Sequence, residues 1–201
     1  MKASTEKKLA KGQRGFSMPE LIVVLLIIAI LVVLALPQVI SSRRAFSFSA
    51  IKRQVATTLN AARQEAMSQR SPITVRYSDA DKKIVVYGGR FGAVGDAKNQ
   101  TFQLAGSGLM AGDIIYGRPS GATTAALADT SNLTPPVAGV ADITFEPDGS
   151  VVNAANHPQN NALFFYNRIY PGDMAFAISV LGAGGRVKIW RYNQNTNSYV
   201  E

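Results

Sequence analysis

From Leu21 to Leu36 the chain carries sixteen consecutive apolar residues. With Phe16 to Glu20 ahead of them, the run reaches the ~20 residues that an α-helix needs to cross a bilayer. Pro37 ends it. Proline inside a helix removes a hydrogen bond and kinks or locally opens the backbone, and here it also suits a membrane exit. Beyond Pro37 the pattern changes. Ile51, Val55, Leu59, Ala62 and Ala66 recur at spacings of four, four, three and four, which is the signature of a helix with one apolar face. Ser71-Pro72 is a natural stop. The pattern predicts a long helix with a membrane half over 16–37 and an amphipathic half over 38–71. The second half needs a soluble domain against its apolar face.

Residues 72–201 read as mainly β. Ile73–Tyr77 and Ile84–Tyr87 flank a hairpin turn at Asp79-Ala80-Asp81. Further short candidates are Gln100–Leu104, Asp113–Tyr116, Leu163–Tyr166, Ala175–Val180 and Val187–Tyr192. Ile143–Phe145 leads into Pro147-Asp148-Gly149, a strong turn signal, and Val151-Val152 resume after it. The stretch 117–141 is rich in Gly, Ala, Ser, Thr and Pro and lacks strand periodicity, so it is expected to be a mobile surface loop. The fold class is therefore α+β: a long N-terminal α-helix packed on a C-terminal antiparallel β-sheet domain.

Charge sharpens the picture at the N-terminus. The leader 1–15 holds Lys2, Lys7, Lys8, Lys11 and Arg14 against Glu6, a balance of +4 (five minus one) out of +8 for the whole chain. Basic residues beside an apolar span stay on the cytoplasmic side, so the remainder is expected to be exported. Pro37, Gln38 and Val39 after the apolar core do not suit a secretory cleavage site. The small residue stands before the core instead, at Gly15. Glu20 is the one charged residue of the span. A carboxylate there costs at least ~2.5 kcal/mol, so it calls for a partner.

Gly15-Phe16-Ser17-Met18-Pro19-Glu20, after a basic leader and before an unbroken apolar run, resembles the processing site of type IV prepilins and pseudopilins. The resemblance implies cleavage by a prepilin peptidase between Gly15 and Phe16 and N-methylation of Phe16. Glu20 becomes the fifth mature residue and pairs with the Phe16 amine of a neighbouring subunit. Met18 stands where leucine is common in the family. Pro37 falls where the family commonly has a proline, at which packed helices loosen. Phe145-Glu146-Pro147-Asp148-Gly149, with Gly185-Arg186-Val187-Lys188-Ile189-Trp190, resembles the soluble domain of H-type minor pseudopilins and FimT-type minor pilins. The implied function is a minor structural and assembly subunit of a type II secretion pseudopilus or type IV pilus, serving protein secretion or pilus biogenesis. Other pilins and the inner membrane are its implied partners. The chain is expected to be a single-pass inner-membrane protein with a periplasmic globular domain.

Little supports catalysis. There is no cysteine and one histidine, His157, in a polar loop, so disulfides, thiolate nucleophiles and zinc–cysteine sites are excluded. Asp148 reads as a turn residue. No cofactor is expected. The last long strand offers an alternative function. Alternation from Arg186 puts Arg186, Lys188, Trp190 and Tyr192 on one face and Val187 and Ile189 on the other, the expected core side. Cations with adjacent aromatics suit DNA, and Gly185-Arg186-Val187-Lys188 is similar to the Gly-Arg-x-Arg motif of DNA-capturing minor pilins. Lysine in the last position loses the bidentate fork. The other reading of this face is a solvated, aggregation-resistant edge strand. The basic residues from Arg43 to Arg70 read as a solvated helix face with lipid-headgroup contact near Arg43 and Arg44.

Overall fold

The computed structural model describes residues 16–90, 97–104, 111–122, 126–153 and 155–201. The chain divides into two units, Met1–Ser41 and Ser42–Glu201. Among the described residues one α-helix, α1, runs over Met18–Gln69 with Pro37 inside it. In the first unit its apolar side chains all stand exposed, from Leu21 to Ile40. A helix that is apolar all round belongs in lipid or among other helices, not in water. Pro37 has no N–H, so the helix continues past it with one internal bond fewer.

In the second unit α1 is amphipathic as the spacing predicts. Val55, Leu59, Ala62 and Ala66 are fully buried and Ile51 nearly so. The helix stops at Arg70, whose φ of 50° is left-handed, and the Ser71 amide donates back to the Ala66 carbonyl at 3.2 Å. This is the six-to-one bond of a Schellman cap, with arginine where glycine is usual.

Among the described residues eleven strands follow: β1 Ile73–Ser78, β2 Lys83–Gly88, β3 Ala97–Gln103, β4 Ile114–Tyr116, β5 Asn132–Leu133, β6 Val140–Phe145, β7 Val151–Val152, β8 Asn161–Asn167, β9 Ala175–Val180, β10 Val187–Asn193 and β11 Ser198–Val200. They form two sheets, ordered β3-β2-β1-β6-β7 and β11-β10-β9-β8-β4. All pairings are antiparallel except that of β5, which lies parallel to β8. The main core joins the apolar stripe of α1 to both sheets, including Tyr77, Ile143, Phe145, Phe165, Phe176 and Ile178. Phe48 of α1 meets Phe176 edge-on with ring centroids 5.1 Å apart.

The segment 117–141 departs from the expected surface loop. It contributes β5 and the start of β6, and Leu127, Ser131 and Thr134 are buried. Leu127 helps cover the outer face of the second sheet, where Phe164, Ala177, Trp190, Tyr192 and Tyr199 form a second cluster. Its central strands β8 and β9 are therefore buried on both faces. Small residues without period-two alternation are what a segment laid across a sheet looks like, since it has no pleat of its own.

Candidate functional site

Gly15 lies outside the described residues. Phe16 and Met18 are about four-fifths exposed, at 79% and 83%. The first turn of α1 is built on Ser17, whose carbonyl accepts from the Leu21 amide at 3.2 Å. Ser17 and Glu20 have the spacing of a capping box, a signal in the sequence with a purely local meaning. Among the described residues neither side chain has a hydrogen-bond partner. Pro19 costs nothing so early, because its missing N–H would be unpaired in any case. Glu20 is the acidic residue of the first turn and is exposed. The positive end of the helix favours it by about 0.3–1 kcal/mol. That is less than the ~2.5 kcal/mol or more charged by an apolar environment, so most of the deficit is left for a partner to meet.

The two soluble-domain motifs converge under α1. Phe145 is fully buried, and Glu146 forms an ion pair with Arg90 at 2.6 Å. Asp148 closes the turn by accepting from the Ser150 amide at 2.8 Å. Hydrogen bonds from the Ser150 side chain and amide hold the Asp148 carboxyl below its ordinary pKa. Gly149, at φ 80°, brings its carbonyl oxygen against Gly185, at φ 58°. A Cβ on Gly185 would overlap that oxygen and lie 2.9 Å from Arg63 Nε. These glycines let two turns and the helix meet, which is a structural role for both motifs.

The proposed DNA face is not assembled as expected. Arg186 is exposed. Lys188 is tied to Glu201 at 2.8 Å and lies 5.4 Å from the Trp190 ring centre. Trp190, expected beside the cations at the surface, is only 3% exposed. Its indole N–H donates to Ser179 Oγ at 2.8 Å, and that hydroxyl donates to Asp129 at 2.5 Å. Lys188, Trp190 and Tyr192 do share a face, but the 126–134 segment covers it, so the indole has no surface to offer a base. Ile189, expected in the core, is 37% exposed, while Val187 packs partly against it.

A recess of about 520 Å³ lies beside the bidentate Arg76–Asp142 pair, walled by Pro135, Val137, Val140 and Val152. The charges there neutralise each other. No group of three or more His, Cys, Asp or Glu among the described residues could hold a metal ion. His157 is exposed in its loop, with its backbone bonded to Asn153.

Residues 10–36 match the prokaryotic N-terminal methylation motif, and residues 53–184 match the type II transport protein GspH. No curated protein matches the chain in sequence. Among solved structures the chain is similar to the type IV minor pilin FimU of Pseudomonas aeruginosa, at 16% identity and TM-score 0.48, over 73% of this chain and 90% of that one. It is also similar to the minor pseudopilin EpsH from the type 2 secretion system of Vibrio cholerae, at 10% identity and TM-score 0.42, over 69% of this chain and 91% of that one. The GspH match alone spans more than half of the sequence, and a methylation motif precedes it: the chain belongs to the GspH family of type II transport proteins.

Proposed function

We propose that this chain is made with a leader, cut by a prepilin peptidase between Gly15 and Phe16, methylated on Phe16, and built as a minor structural subunit into a type II secretion pseudopilus or a type IV pilus. Before assembly it is anchored in the inner membrane, with its two-sheet domain on the periplasmic side. The observation that carries this reading is Glu20, without a partner among the described residues, on the first turn of a helix whose first half is exposed and apolar, inside the methylation motif. Cleavage would free an amine four residues from that carboxylate. In a filament, the Glu20 of one subunit and the Phe16 amine of the next neutralise each other where either alone would be costly. Pro37 leaves the helix one hydrogen bond short, which lowers the cost of loosening it on packing.

The test is Glu20→Ala in the full chain. The variant inserts in the membrane and is processed, but fails to enter filaments. Normal incorporation would overturn the pairing. Protease access from the periplasmic side tests the orientation: fragments of the two-sheet domain are expected, and full protection in intact spheroplasts would contradict it.

A further inference from the structure

Arg43 and Arg44 begin three residues past Ile40, and Phe46 follows two residues later. At 3.8 Å per residue, Arg43 lies within about 11 Å of Ile40 whatever the backbone does between them. Leu21–Ile40 is twenty residues, about 30 Å of helix and so one hydrocarbon thickness. Seated on Leu21–Ile40 rather than on Phe16–Leu36, the span puts the residues after Ile40 in the headgroup layer.

The side chains there suit that layer. Phe46 is 75% exposed, whereas Phe48, two residues on, is buried in the core. Arg43 is exposed and Arg44 half-buried. Among the described residues neither arginine makes an ion pair. Guanidinium forks take phosphate oxygens two at a time, and an exposed phenylalanine beside them can bury its ring at the headgroup–acyl boundary.

The charge balance across the span adds a second argument. Before processing, the leader carries +4 and Arg43 with Arg44 carry +2 on the other side. A cut after Gly15 leaves the Phe16 amine (+1) and Glu20 (−1), summing to zero, against the same +2. Processing thus removes the basic flank on one side and leaves the arginine pair as the only cationic flank of the span.

We propose that Arg43, Arg44 and Phe46 form a phospholipid-headgroup site which, once the leader is gone, becomes the main polar contact fixing the depth of the helix in the bilayer. The timing rests on the processing proposed above; the site itself does not.

The chain has no cysteine, so one introduced thiol carries a reporter cleanly. A nitroxide is placed at Ala45→Cys, with exposed Thr57→Cys as the aqueous reference. The full-length chain is reconstituted in phosphatidylethanolamine–phosphatidylglycerol vesicles, and its mass is measured. Trp190 fluorescence reports that the domain is folded. The label at 45 should be shielded from an aqueous nickel chelate and reached by oxygen, relative to 57. Arg43→Gln with Arg44→Gln should cut the headgroup-held population about 25-fold, from about fivefold per arginine at ~1 kcal/mol each, and bring the label at 45 to the accessibility of 57. Equal accessibility of 45 and 57 in the native chain would overturn the site, as would shielding that survives the double substitution. Shielding that disappears as protein is diluted in lipid would overturn it too, because a second copy of the chain would then be the cover. Arginine-dependent shielding in a chain whose mass retains residues 1–15 would support the site independently of the processing.

Discussion

Gly185→Ala should separate the structural role of the Gly185–Lys188 motif from a binding role. Gly185 sits at φ 58° with the Gly149 carbonyl where a Cβ would go and Arg63 against its other side. Left-handed backbone costs a non-glycine residue about 1–2 kcal/mol. The neighbour is backbone of another tight turn, so relieving the overlap requires shifting one turn relative to the other. That is an overpacking cost of about 1–3 kcal/mol. Together the loss is about 2–5 kcal/mol, or a drop in Tm on the order of 4–20 °C for a domain of this size. The assay is thermal unfolding of the full chain in detergent, followed by its single tryptophan. Trp190 is buried and hydrogen-bonded to Ser179, so its emission reports the folded second sheet. Arg186→Ala, at an exposed position, should stay within about 0.5 kcal/mol of the parent. If Gly185→Ala melted with the parent, the close approach of the two turns would not exist and the structural reading of both motifs would fail.

Other substitutions probe the remaining layers. Leu59→Ala, at the fully buried centre of the helix stripe, should cost about 2–5 kcal/mol by equilibrium denaturation. Ser179→Ala strands the Trp190 indole and one Asp129 oxygen; it should cost about 1–3 kcal/mol and shift the Trp190 emission. At acid pH the loop acid Asp79 is informative. Burial works to raise its carboxyl, but hydrogen bonds from Lys82 and Tyr77 outweigh that and hold it below its ordinary value. A depressed carboxyl adds stability that is complete above the unfolded value of ~3.9 and fades as pH falls through the lower folded one. Asp79→Asn should therefore be less stable at neutral pH and lose less on going below about pH 4, as read by pH-dependent melts.

The helix was the most legible part of the chain. A strict apolar run and a clean four-four-three-four stripe each leave one physical solution, and Ile51 to Ala66 are buried as their spacing implies. The strands that alternate or sit beside Asp-Ala-Asp and Pro-Asp-Gly turns were legible too, because local rules govern both. What was hidden depended on long-range packing. β5 is two residues long and owes its existence to β8, and β11 to its pairing with β10. The face of β10 was read correctly by parity, but its exposure was not, because nothing local in 117–141 says that it lies across Trp190. For the same reason the cationic strand looked more like a nucleic-acid surface in sequence than it does in space. Glu20 stands out in the sequence because a charge in an apolar run is costly wherever the chain goes.

The most direct test of the whole account is the intact mass and N-terminal sequence of the chain isolated from native membranes. The polypeptide should begin at Phe16, heavier by one methyl group, with the Glu20 carboxylate now close to a free amine. A chain that still began with the lysine-rich leader would have no such amine, and the pairing that makes Glu20 tolerable in a filament could not form.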